Sequence, residues 1–138
     1  MPKYKIIEFP LFDTKNGVLC MYESDASKTA GVPFAIKRVL TTTGMSGSDK
    51  RGGHTHHKTH QILICTSGGC VVDLDDGTNT TSITLEGQNR GILLYPYVWH
   101  VMRDFKPDTS LLVLADMEYD EKDYIRNYED FIQQTKRL

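Results

Sequence analysis

Residues 51–76 read RGGHTHHKTHQILICTSGGCVVDLDD. Two β-forming runs, QILICTS and CVVDLDD, meet at the turn Ser67-Gly68-Gly69. In the second run Cys70, Val72 and Leu74 alternate with other side chains, as suits a strand buried on one face. Ahead of the pair stand four of the chain's five histidines: His54, His56, His57 and His60. The segment therefore raises the fold and the chemistry together, because a row of imidazoles leads directly into a hairpin.

The same texture extends on both sides. KYKIIEF, VLCMYE, FAIKRVLTTT, TSITL, GILLYP, VWHVMRDF and SLLVLADMEY are further short β-type runs. DDGT at 75–78 and EGQN at 86–89 mark turns between them. Such regular spacing predicts an antiparallel sandwich or barrel. From Asp120 the period changes to that of a helix, with Tyr124, Ile125, Tyr128, Phe131 and Ile132 on one face. Asp120 would cap it, acidic residues fill its first turn, and Lys136 and Arg137 fall in its last. The expectation is one domain over residues 1–138, all-β with one terminal helix.

Composition narrows the function classes. The 16 Lys and Arg balance 18 Asp and Glu and are dispersed, which argues against a nucleic-acid footprint or a polybasic membrane anchor. Apolar runs such as ILIC and LLVLA are far too short to span a bilayer. The opening MPKYKIIEFP lacks the apolar core of a signal peptide, so a cytoplasmic location is expected. Cys20, Cys65 and Cys70 are odd in number and not at zinc-ribbon spacing, and read as reduced, mostly buried thiols.

His54 and His56 are two apart, so in a strand both imidazoles point to one side while Thr55 faces away. If that strand runs on through Gln61, His60 and Lys58 join them and His57 takes the opposite face. Such a polar row inside a small barrel must be satisfied or it is costly. Three readings are open at this point: a hydrogen-bonded barrel mouth, a metal site and an acid/base pair.

After His54-x-His56 come Gln61 and Gly68, and later GILLYPYVWH with Gly91, Pro96 and His100. This resembles the two motifs of the cupin superfamily, whose jelly-roll barrel commonly presents His-x-His, a Glu and a later His to one metal. Gln61 replaces the acidic ligand, and PYVWH is one residue shorter than the usual second motif and lacks its glycine. A neutral amide brings no charge to a divalent ion, which weakens a metal reading. More closely, PFAIKRV, RGGHTHHKTHQ, GILLYPYVWHVMRDF and LLVLADMEYDEKDYIRNYEDF together resemble the dTDP-sugar 3,4-ketoisomerases, over roughly residues 33–131. The tail YDEKDYIRNY is the most specific piece, since a generic cupin has none.

That resemblance implies a cupin jelly-roll (double-stranded β-helix) barrel with a C-terminal helix and no metal or other cofactor. It also implies a homodimer with exchanged N-terminal strands. The implied substrate is dTDP-4-keto-6-deoxyglucose, converted to its 3-keto isomer on the way to 3-amino-3,6-dideoxy sugars, with neither nucleic acid nor membrane as partner. His54 is then the carbon base and His56 its partner at the oxygens, since an imidazole near its ordinary pKa of roughly 6.5 can serve in either role. Arg51 and Arg38 are candidates to hold the diphosphate, and Gln61 to fix a tautomer or bind a hydroxyl. Tyr97 and Trp99 are candidates to stack on base or sugar, and His100 to line the pocket. The chain departs from the family pattern at Leu40, where an aromatic is frequent, and at Tyr95, commonly glycine. Competing expectations are a sugar-nucleotide epimerase, a metal-dependent cupin enzyme and a non-catalytic sugar-binding protein.

Overall fold

The structure, a computed structural model, describes residues 3–25 and 31–137. Its strands are β1 (Tyr4–Glu8), β2 (Leu11–Thr14), β3 (Gly17–Cys20), β4 (Arg38–Thr42), β5 (Arg51–His56) and β6 (Gln61–Ser67). There follow β7 (Gly69–Asp75), β8 (Thr80–Glu86), β9 (Arg90–Leu94), β10 (Trp99–Arg103), β11 (Ser110–Ala115) and β12 (Tyr124–Ile125), then helix α1 (Tyr128–Thr135). Two five-stranded antiparallel sheets form, in the orders β1-β9-β6-β11-β4 and β12-β5-β10-β7-β8, while β2 and β3 make a separate hairpin. This is the cupin jelly roll with a C-terminal helix.

Between the sheets lies a core that includes Leu63, Cys65, Cys70, Val72, Leu74 and Leu85. The alternation of Cys70, Val72 and Leu74 places them there, as expected from their spacing. Strand β6 is different, because both of its faces are covered. Leu63 and Cys65 enter the inter-sheet core, whereas Ile62 and Ile64 pack with Ile7, Phe9, Val32 and Leu114 in a second cluster. That double burial explains why QILIC is continuously apolar after Gln61. Gly91 on β9 is required by this packing: a Cβ there would stand 2.8 Å from Ile62 Cγ2 and 2.9 Å from Phe9 Cε2.

The tail departs from the helix expected over 120–137. Asp120 does cap, its side chain accepting from the Lys122 amide, but what it caps is a single 3-10 turn, Glu121–Asp123. Tyr124 and Ile125 then form β12 against β5, with Tyr124 opposite His56. The helix starts only at Tyr128, where Asn127 accepts the Asp130 amide at 3.0 Å. The physical cause is the buried Asp123. Its carboxylate accepts the backbone amides of Lys58 (2.8 Å) and Thr59 (3.3 Å) and the Thr59 hydroxyl. A long-range anchor of this kind outweighs a local helical period.

Candidate active site

The first fixed point of the site is the junction between β5 and β10. Gly52 and Gly53 have φ of 82° and 74°, and the register slips between His100 and Val101, so a bulge sits beside the histidines. A Cβ on Gly52 would lie 2.7 Å from the His100 carbonyl oxygen. After this bulge the pleat is regular, His54 pairs with His100, and the imidazoles of His54, His56 and His100 meet inside the barrel. Ring centroids are 5.1 Å apart for His54–His56 and 4.8 Å for His54–His100, both edge to face.

Strand β5 ends at His56, so the expected continuation of the inward row to His60 does not occur. Asp123 draws the chain outward through residues 57–59, and its own carbonyl accepts the His57 amide. His60 Nδ1 lies 2.9 Å from the Asp116 carboxylate, and His57 Nδ1 lies 2.9 Å from the Tyr97 hydroxyl.

A cavity of about 210 Å³ opens between the sheets. Its polar wall is Arg38, Arg51, His54, Gln61, His100, Tyr124 and Arg126, and Leu40, Leu63, Met102, Leu111 and Val113 supply apolar surface. Six of the sequence candidates thus come together around one space: Arg38, Arg51, His54, Gln61 and His100 on its wall, and His56 directly behind. Tyr97 and Trp99 do not join them. Trp99 alternates with His100 on β10 and so faces outward, where it packs on Tyr128 and Phe131 of α1 at centroid distances of 5.3 and 5.6 Å.

Burial makes the three imidazoles poor proton acceptors. It depresses the His54 pKa to about 3, with the neighbouring His100 and Arg126 acting in the same direction. His56 is lowered to about 2, again chiefly by burial, then by His100 and His54. Burial lowers His100 to about 4, opposed by its contact with the Val98 carbonyl. That carbonyl only accepts, so His100 carries its proton on Nδ1, 3.1 Å away. The Gln61 amide nitrogen stands 2.9 Å from His56 Nδ1 and donates to it. The buried His54 Nδ1 meets no partner in hydrogen-bonding geometry among the described residues; the Gly52 carbonyl is the backbone group that acts on it.

A metal, common in cupins, does not fit these donors. Gln61 is neutral and is engaged with His56, His100 commits one nitrogen to the backbone, and the rings meet edge to face. Among the described residues no group of three or more His, Cys, Asp or Glu could hold an ion.

Tyr124 and Arg126 are wall residues that the sequence reading missed, because the helical period assigned Tyr124 to a packing face. The usable signal was Asn127: an Asn followed by acidic residues at 129 and 130 is a second helix start equal in kind to Asp120, and a start there leaves Tyr124-x-Arg126 as an i, i+2 pair. The Arg126 guanidinium lies 4.3 Å from the Tyr124 ring centroid. Glu121 holds it by two contacts, 2.8 Å to Nε and 3.0 Å to Nη2. Three cations, Arg38, Arg51 and Arg126, stand on a wall that carries no carboxylate among the described lining residues, which suits an anionic ligand.

A jelly roll with a buried histidine cluster and an arginine-lined cavity defines a cupin whose site suits an anionic ligand. The chain belongs to the FdtA family (WxcM-like, C-terminal), which matches over residues 2–136. It is 41% identical over 127 residues to the TDP-4-oxo-6-deoxy-alpha-D-glucose-3,4-oxoisomerase of Aneurinibacillus thermoaerophilus, covering 92% of this chain and 88% of the relative. Among solved structures it is similar to a variant of the 3,4-ketoisomerase QdtA from Thermoanaerobacterium thermosaccharolyticum in complex with TDP-4-keto-6-deoxyglucose. That match has a TM-score of 0.93 and 36% identity, and covers 99% of this chain and 96% of the other. A 3,4-ketoisomerase from Helicobacter canadensis matches with a TM-score of 0.89 and 35% identity over 96% and 97% of the two chains.

Proposed function

We propose that the protein is a sugar-nucleotide 3,4-ketoisomerase that converts dTDP-4-keto-6-deoxyglucose to its 3-keto isomer without a cofactor. The observation that carries this reading is His54: a neutral imidazole on the wall of a cavity whose other charged side chains are Arg38, Arg51 and Arg126. The arginines take the diphosphate, with Arg51 at the mouth and Arg38 deeper, where its Nε and Nη1 are buried without partners among the described residues. A bound dianion raises the pKa of His54, so binding itself prepares the base.

The C3 proton is acidic because it lies beside the C4 ketone. His54 removes it, the C3–H electron pair becomes the C3–C4 double bond, and the former carbonyl pair settles on O4. The enediolate collapses when O3 loses its proton and C4 receives one. His56, held by Gln61 behind the wall, supports the transfer of the oxygen protons from behind the residues that touch the sugar, and the buried His100 lines the pocket. The enzyme works as a homodimer with exchanged N-terminal strands in the cytoplasm; no described helix is long and apolar enough to cross a membrane.

The test is incubation with dTDP-4-keto-6-deoxyglucose in D₂O, followed by NMR of the products. A 3-keto product and deuterium at C3 of the recovered substrate are expected. His54→Asn should bind dTDP as the wild type does but lose nearly all C3 exchange. Full exchange in that variant would transfer the role of base to another residue.

A further inference from the structure

The ketoisomerase reading leaves one step without a group in position. Protons must leave O3 and reach O4, and these oxygens lie in the cavity, yet His56 is only 2% exposed and is not on the cavity wall. Its side chain is engaged with Gln61. Tyr124 stands where such a group is needed. It is on the wall, its ring centroid is 4.4 Å from that of His56 and 5.1 Å from that of His54, and no residue among those described partners its hydroxyl. Three features fix the ring: the β12 pairing with His56, the Asp123 anchor one residue earlier, and the Arg126 guanidinium held over it by Glu121.

We infer that Tyr124 is a further catalytic residue, the phenol that exchanges protons with O3 and O4 of the sugar. This rests on the ketoisomerase reading. As His54 takes the C3 proton and charge develops on O4, the Tyr124 O–H donates its proton to O4. The phenolate then accepts the O3 proton; the O3–H electron pair forms the new C3 carbonyl, and the double-bond pair takes a proton at C4 from the His54 imidazolium. Phenol and imidazole both end as they began, so no external acid, base or oxidant is consumed.

Tyr124→Phe tests the assignment, because it keeps the aromatic packing against His54, His56 and Arg126 and removes only the hydroxyl. Net isomerisation should fall by roughly 10²-fold, the lower end of what one acid/base group supplies. The dTDP affinity should stay within about threefold of wild type. The decisive readout is partition in D₂O: the ratio of deuterium in recovered substrate to product formed should rise, because the enediolate still forms and returns but completes the oxygen transfer slowly. Near-wild-type turnover in Tyr124→Phe, or equal losses of exchange and product, would overturn the assignment and leave the ketoisomerase reading intact. A wild-type protein that neither exchanges C3 nor forms product would overturn both.

Discussion

At the scale of single residues, the electrostatics of the three inner imidazoles make a prediction that separates them from ordinary histidines. An exposed catalytic histidine would give kcat/KM an acid limb near its reference pKa of roughly 6.5. Here burial lowers His54 to about 3, His56 to about 2 and His100 to about 4. The neutral form of His54, the form that acts as base, therefore persists far below neutrality in the free enzyme. The same shifts act on stability with a definite sign. Between the folded values and roughly 6.5 the unfolded chain binds more protons than the folded one, so their contribution is complete above about pH 6.5 and is lost as pH falls below it. We expect kcat/KM to stay flat from about pH 8 to about pH 5.5, and its acid loss to track unfolding followed by far-UV circular dichroism. A single ionisation near pH 6.5 in still-folded protein would contradict the buried, neutral cluster.

At the scale of elements, Asp123 fixes where β5 ends and where β12 begins. Its carboxylate is buried and joins three donors on the loop after His56, so Asp123→Ala should strand two backbone amides. A hydrogen bond to a charged group contributes roughly 1.5–3 kcal/mol, so the variant should lose on the order of 3 kcal/mol in denaturant unfolding. Turnover should fall further than dTDP affinity, because β12 carries Tyr124 while Arg38 and Arg51 come from other strands. Unchanged stability would mean that the β5–β12 pairing needs no anchor. The same element marks the limit of what the sequence discloses. Alternation located β7, and the i, i+2 spacing of His54 and His56 put both inside the barrel, because these patterns report the pleat directly. The end of β5 was not legible, since it depends on a contact 64 residues along the chain between Asp123 and Thr59. For that reason His60 was expected inward and Tyr124 on a helix. Strand β2 was missed for a different reason: all four of its residues are exposed, so LFDT carries no burial pattern.

At the scale of the whole molecule, the N-terminal part of the chain has more apolar surface than its own sheets cover. Leu11 and Phe12 on β2 and Val18 and Leu19 on β3 are 43–51% exposed, and Val39 lies exposed on the edge strand β4. A hairpin that pairs only with itself is marginal in water, and an apolar edge strand invites pairing with another chain. A second copy of the protein would cover both. Sedimentation at micromolar concentration should therefore give a dimer. Phe12→Glu combined with Leu19→Glu should shift it towards monomer: both side chains project from the hairpin, and neither belongs to the two clusters that form the core. These substitutions leave the histidine cluster untouched, so far-UV circular dichroism should keep its strand signature while mass and activity respond to subunit concentration. A wild-type chain that sediments as an active monomer would show that the exposed hairpin serves something other than self-association.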